Sequence, residues 1–216
     1  IMMSRLLVQK GEVDEALRLL VMQRLLSPED AIRIYLEEAT ILSDAGRDIE
    51  VMELLDKGLE QYPAHSDLLY ARALQGEKMG DIGILERDLR KVLEQEPDHA
   101  QALNALGYTL ADETTRYDEA YELISKAYEL MPESAAILDS MGWVLFKRGE
   151  YEAALAELER AYEKLDDHEV AAHIVEVLVA LERPDDALEV LEDAETRHTD
   201  SELLQDVRDR LFPDAD

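Results

Sequence analysis

A step of 34 to 35 residues runs through this chain and leaves little choice of architecture. Prolines fall at Pro28, Pro63, Pro97 and Pro132, separated by 35, 34 and 35 residues. Leu106-Gly107 returns 35 residues later as Met141-Gly142. An alanine with an apolar residue four positions on recurs as Ala16 with Leu20, Ala120 with Ile124, and Ala154 with Leu158; small residues follow at Ala127 and Ala161. Within each period the apolar spacing is helical. Leu103, Leu106 and Leu110 form one stripe, and Leu138, Met141 and Leu145 form the next. Gly107 and Gly142 fall in mid-helix, where glycine costs roughly 1 kcal/mol relative to alanine. Close approach of a second helix offsets that cost, with Ala120 and Ala154 as the matching small residues across the hairpin.

A helical hairpin of this period, with these small and apolar positions, resembles the tetratricopeptide repeat (TPR) family. The expected fold is all-α: a right-handed α-solenoid of five to six hairpins closed by a C-terminal helix. First helices are predicted near 31–45, 66–79, 100–113, 135–148 and 169–182, and second helices near 48–61, 82–95, 117–130, 150–164 and 184–197. The chain then divides into a partial repeat at 1–30, repeats at 31–65, 66–99, 100–134, 135–168 and 169–200, and a capping helix at 201–212. Ser27-Pro28-Glu29-Asp30, Pro184 with Asp185 and Asp186, and Asp200-Ser201-Glu202 read as helix starts. The polar face Gln205, Asp206 and Asp209 suits a solvating cap. In repeat 66–99, Ala73 stands where glycine sits elsewhere and Gly76, Gly80 and Gly83 crowd the turn, so local softness is expected there. Gly11 and Ala16 occupy second-helix positions, which puts Ile1 inside a first helix and makes the chain a fragment of a longer array, any targeting signal lying upstream.

Composition narrows the function. The apolar fraction of 47% is ample for a core, and six prolines with nine glycines are too few for the turns of a β-sandwich. With 51 acidic against 22 basic residues the formal net charge is −29, a field that repels phosphate backbones and anionic headgroups and steers basic partners inward. Nucleic acid and direct membrane contact are therefore not expected. The same charge also serves simply to solvate long helical faces. Without cysteine there is no disulfide, thiolate or cysteine-zinc chemistry. No stretch approaches the roughly 18 apolar residues of a membrane helix.

Catalytic constellations are absent, so no enzyme activity and no cofactor are expected. His168-Glu169 with His173 spaces its histidines by five rather than four, so they diverge on a helix and hold no metal. His65, His99 and His198 fall at hairpin junctions. Asp166-Asp167 and Asp185-Asp186 lie at helix starts, where carboxylates offset the dipole.

The TPR resemblance implies a partner-binding groove lined by first helices. Its family positions map onto Tyr35 and Leu42; Tyr70, Glu77 and Lys78; Asn104, Tyr108 and Asp112; Asp139, Trp143, Phe146 and Lys147; and His173, Val177 and Leu181. Asp139, Trp143 and Phe146, spaced by four and three, share one helix face. Two placements stay open for Trp143: an anchor for a bound peptide or amphipathic helix, or a ring buried between neighbouring repeats. Asn104 pairs either with a ligand backbone or with Asp139. The wall lacks the lysines and asparagines by which some TPR domains clamp acidic C-termini.

Residues 102–162, including Leu-Gly-Tyr-x-Leu-Ala-Asp and Asp-Ser-x-Gly-Trp, together with 166–181, resemble the C-terminal repeats of proteobacterial TPR lipoproteins of the LbcA type. That resemblance implies an adaptor on the periplasmic side of the outer membrane, recruiting a carboxy-terminal processing serine protease that trims cell-wall hydrolases. Two other roles stand beside it: an architectural spacer of an envelope or secretion complex, and a regulatory segment of an enzyme lying upstream.

Overall fold

A computed structural model describes residues 2–27 and 30–213. Among them there are thirteen α-helices and no strand. The chain divides into two compact units, 1–97 and 98–216.

The first unit holds three hairpins. These are α1 (Met2–Gln9) with α2 (Val13–Leu26), α3 (Ala31–Asp44) with α4 (Asp48–Gln61), and α5 (Ser66–Lys78) with α6 (Ile82–Gln95). Successive hairpins stack through α2 on α3, α4 on α5, and α3 on α5. Leu20, Ile34 and Ile41 form a buried cluster against Val8, Val13 and Leu17. The second unit holds α7 (Ala100–Glu113) with α8 (Tyr117–Leu130), α9 (Ala135–Lys147) with α10 (Tyr151–Lys164), α11 (His168–Ala180) with α12 (Pro184–Arg197), and α13 (Glu202–Leu211). Here α7, α9 and α11 pack in succession, and α13 lies on α11 and α12. From α3 onward the helices lie within two residues of their predicted spans.

The local signals act as expected where they can be seen. Asp167 accepts from the Glu169 amide at 2.8 Å and Ser201 from the Leu204 amide at 3.2 Å, each satisfying an amide that the first turn leaves unpaired. Pro184 opens α12 with Asp185 and Asp186 in its first turn. Ser27 instead closes α2, donating its amide to the Gln23 carbonyl, while Pro28 and Glu29 lie outside the described residues. The turn after α9 is made by Gly149 at φ +80°; the equivalent turn after α11 places Glu182 at φ +58°.

The mid-helix glycines are explained by distance. A Cβ on Gly142 would stand 2.4 Å from Leu158 Cγ and 3.0 Å from the Ala154 carbonyl oxygen. On Gly107 it would meet Ile124 Cγ1 at 2.6 Å and the Ala120 carbonyl oxygen at 3.1 Å. Ala120, Ile124, Ala154 and Leu158 are all completely buried, so neither neighbour can swing into solvent. The closeness of Leu158 and of the Ala154 carbonyl places overpacking in the upper part of its range, about 2–3 kcal/mol, so after the roughly 1 gained in helix propensity Gly142→Ala is expected to lose about 1–2 kcal/mol. A urea midpoint equal to that of the parent chain would show that close approach is not what holds glycine there.

One charged cluster lies inside the first unit. Asp88 is fully buried and accepts from Arg72 through Nε at 2.7 Å and Nη2 at 3.1 Å, and from Arg87 Nε at 2.9 Å. Arg72 reaches on to Asp56 at 2.6 Å. Burial pushes the Asp88 carboxyl upward, but the two guanidiniums outweigh it and hold the group below the usual carboxylate range.

Candidate partner-binding face

The ten predicted contact residues fall in two surroundings. In the first unit Tyr35 and Tyr70 sit apart in environment. Tyr35 is 2% exposed, with the Arg24 guanidinium 3.8 Å above its ring and Gly58 of α4 packed close to the ring. The same arginine bonds Glu38 at 3.1 Å; burial pushes that carboxyl up to about 7, against the pull of Arg24. Tyr35 is therefore a core residue, a correction to its expected place on the wall. Its hydroxyphenyl ring is long enough to span from α3 to α4 and be covered by a side chain of α2. Tyr70 stays half-buried.

The second unit brings the other eight onto α7, α9 and α11. Trp143 lies nearly parallel to His173, ring centres 4.0 Å apart at 19°, and to Phe146 at 5.0 Å and 25°. Its Nε1 donates to Asp112 Oδ1 at 3.0 Å. Lys147 Nζ stands 4.6 Å from the Trp143 ring centre and 3.5 Å from Asp112. His173 Nδ1 and Asp139 Oδ1 are 2.8 Å apart, and the Tyr108 hydroxyl donates to Glu169 Oε1 at 2.7 Å. Three successive first helices are thus tied by an aromatic stack with a hydrogen bond at each polar end.

Four more of the expected contact residues are covered, and for Trp143 the second of its two open placements, between neighbouring repeats, is the one observed. Trp143 is 5% exposed, and Asp139, His173 and Val177 are buried with it. The ring is covered by the imidazole one repeat onward and by Phe146 on its own helix, so it is not an open anchor as it stands. Asp139 pairs with His173 rather than with Asn104, and the Asn104 Oδ1, an acceptor, is buried with no hydrogen-bond partner. Still reachable from solvent are parts of Asn104, Tyr108, Phe146 and Lys147, with the exposed Asp112 beside the lysine.

Burial alone would lower the His173 pKa; the bond and charge of Asp139, aided by Glu169 and Glu176, overcome it and raise the pKa above the ordinary 6.5. Nδ1–H can donate to Asp139 in either protonation state, and protonation places a cation on the indole face. Burial, with Glu169 beside it, also pushes the Tyr108 phenol upward and keeps it a donor.

His168 and His173 do turn apart. The first lies 2.7 Å from Ser201 Oγ, the second on Asp139. Among the described residues no group of three or more histidine, aspartate or glutamate side chains is placed to hold a metal ion, and no helix is long and apolar enough to cross a membrane. The Asp112–Trp143 and Tyr108–Glu169 bonds were not foreseen. Register was the signal available for the first, which spans 31 positions as Asp139–His173 spans 34, each about one repeat, whereas Tyr108–Glu169 spans 61, about two.

Comparison with known proteins places this geometry. Residues 113–194 match the family described as anaphase-promoting complex, cyclosome, subunit 3. Over 170 residues, 79% of the chain, the sequence is 48% identical to a TPR repeat-containing protein of Pseudomonas aeruginosa, PA4667. A 25% identity over 151 residues links it to the protein CTR9 homolog of Arabidopsis thaliana. The chain spans 29% of the length of the first of these relatives and 14% of the second. Among solved structures, a tetratricopeptide repeat protein of Parabacteroides merdae superposes with a TM-score of 0.78 at 18% identity, covering 97% of this chain and 83% of that one. The hetero-tetramer Cut9-Hcn1 of the anaphase-promoting complex gives 0.78 at 16%, covering 95% and 41%. MamA of Desulfovibrio magneticus gives 0.64 at 17%, covering 78% and 97%. At these identities the structures speak for the fold alone.

Proposed function

Since this chain is a tetratricopeptide-repeat protein, of a fold that typically serves as a non-catalytic scaffold for other proteins, we propose that it is an adaptor holding a peptide or helix of a partner on the α7–α9–α11 face. The observation that carries the reading is the buried Asn104 Oδ1, without a hydrogen-bond partner, on a half-buried side chain one helical turn before Tyr108 on α7. A polar group left without a partner costs about 1–3 kcal/mol, and rotation about its last side-chain bond is soft enough to turn it toward an incoming backbone. Farther along the same face α9 offers the half-buried Phe146 as apolar area and Lys147 as a cation. The stack beneath them keeps these side chains in place before the partner arrives, which lowers the entropy cost of binding.

The partner proposed is a carboxy-terminal processing serine protease, with its cell-wall hydrolase substrates, on the periplasmic side of the outer membrane. What supports this is the resemblance of residues 102–162 to the LbcA-type lipoproteins, together with the 48% identity to a bacterial TPR protein. The groove carries no catalytic role in this reading; the reaction belongs to the protease. An architectural role, spacing components of an envelope complex, is favoured by one observation, the burial of Trp143 away from any ligand.

Titration of a purified carboxy-terminal processing protease of the same organism into the protein separates these readings. Asn104→Ala with Lys147→Ala is expected to weaken binding about 10-fold or more while leaving the thermal midpoint nearly unchanged. Equal binding by the double variant moves the contact off this face. No binding by the parent protein removes the protease as partner and leaves the architectural reading.

A further inference from the structure

On the other side of the second unit, α10, α11 and α12 enclose a groove of about 540 Å³. Its floor is apolar: Ile174 and Leu178 of α11 are buried, while Tyr162 and Val190 are half-buried and reachable. The rim is acidic. Five carboxylates line the groove against one guanidinium, that of Arg183. Arg183 is already bonded to Asp186 at 2.6 Å, and Asp193 is paired with Arg197. Glu159, Glu163 and Glu189 are exposed and have no cationic partner within 4 Å among the described residues.

We propose that this groove docks a basic amphipathic segment of a partner protein, seating a lysine or arginine with its aliphatic stem on the floor and its charge among Glu159, Glu163 and Glu189. The argument is complementarity in two properties at once. A long cationic side chain is apolar along its stem and charged at its tip, the same order met on passing from floor to rim. A neutral apolar segment would strip water from three carboxylates and return nothing, and an acidic one would be repelled. A small cation would gain the charge but leave the floor wet. The surface is separate from the α7–α9–α11 face and carries its own test.

The probe is a fluorescent helical peptide of about 18 residues in which leucine and lysine alternate at helical spacing, long enough to hold its structure. Fluorescence anisotropy against the full chain reads its binding at about 0.05 M and 0.3 M salt, which separates screened surface charge from seated contacts. Reversal of the rim by Glu159→Lys, Glu163→Lys and Glu189→Lys is expected to weaken binding at least about 10-fold, since three charge contacts are lost. The control reverses three exposed acids of the same unit outside the groove, Glu122→Lys, Glu129→Lys and Glu152→Lys, changing net charge equally, and is expected to weaken it less than about 3-fold. Equal weakening by both sets, or equal binding of a peptide with serine in place of leucine, overturns the proposal. Phe146→Ala leaves this binding intact, so loss of the protease interaction and loss of this one are told apart. All of the reversed residues are exposed, and an unchanged thermal midpoint shows that folding is untouched.

Discussion

Trp143→Ala is expected to lower stability by about 3–5 kcal/mol, the range for emptying a large aromatic site in a core. The indole is packed between His173 and Phe146 and bonded to Asp112, so truncation opens a cavity at the junction of α7, α9 and α11. It also removes one donor of Asp112, which keeps Lys147, and uncovers the Asp139–His173 pair. For a chain of this length the thermal midpoint should fall by on the order of 10 °C. A second reading comes from pH. A histidine whose pKa is raised by folding contributes stability that is fully present below its ordinary 6.5 and is lost as pH rises through the higher folded value. The stability of the parent chain should therefore decline through this residue as pH rises above 6.5 toward and through the raised folded value. In Trp143→Ala, water reaches the imidazole, screens Asp139, and brings the pKa back toward its ordinary value, so that part of the slope flattens. A loss below about 1 kcal/mol with an unchanged slope would mean that the tryptophan rests on the surface after all.

Removing the buried acid of the first unit should cost nearly as much. Asp88→Ala leaves Arg72 facing an apolar interior with only Asp56 to answer it, and breaking such a pair costs about 3–5 kcal/mol. The exposed Asp56 contact places the expected loss at the lower end of that range. Replacing both partners, Asp88→Leu with Arg72→Met, should recover most of it, because no charge is then stranded. The difference between the single and double variants in urea unfolding measures the pair. The acid limb gives a further check. The Asp88 pKa is depressed, so its contribution is present above the ordinary 3.8 and is lost only as pH falls through the lower folded value. An Asp88→Ala chain as stable as the parent would show that the cluster is solvated.

The hairpins were legible from the sequence because they rest on local physics repeated many times. Leu103, Leu106 and Leu110 mark a helix face by spacing, and Gly142 marks the close approach that its 2.4 Å clearance to Leu158 displays. Each repeat carries the same message, so an error at one boundary is corrected by the next. The side-chain surroundings of the face were less legible. Family positions brought Asp139, Trp143 and His173 to one place, but spacing along a helix says which side chains share a face and not which of them is covered. Tyr35 failed as a wall residue for that reason: Arg24, on another helix, closes over its ring. Glu169, missed entirely, enters through a bond to Tyr108 from 61 positions away.

The sequence by itself determined the helical period, the small residues that let paired helices touch, and the strongly acidic net charge. These follow from intrahelical geometry and from charge count, which need no knowledge of neighbours. Only the tertiary structure decided that Trp143 is a buried strut rather than a free anchor, that the Asn104 Oδ1 is left unpaired, and that Glu159, Glu163 and Glu189 stand without cations around an apolar floor. Burial and pairing are properties of surfaces brought together from distant parts of the chain, and a few ångströms in their approach decide whether a side chain holds the fold or is left to hold a partner.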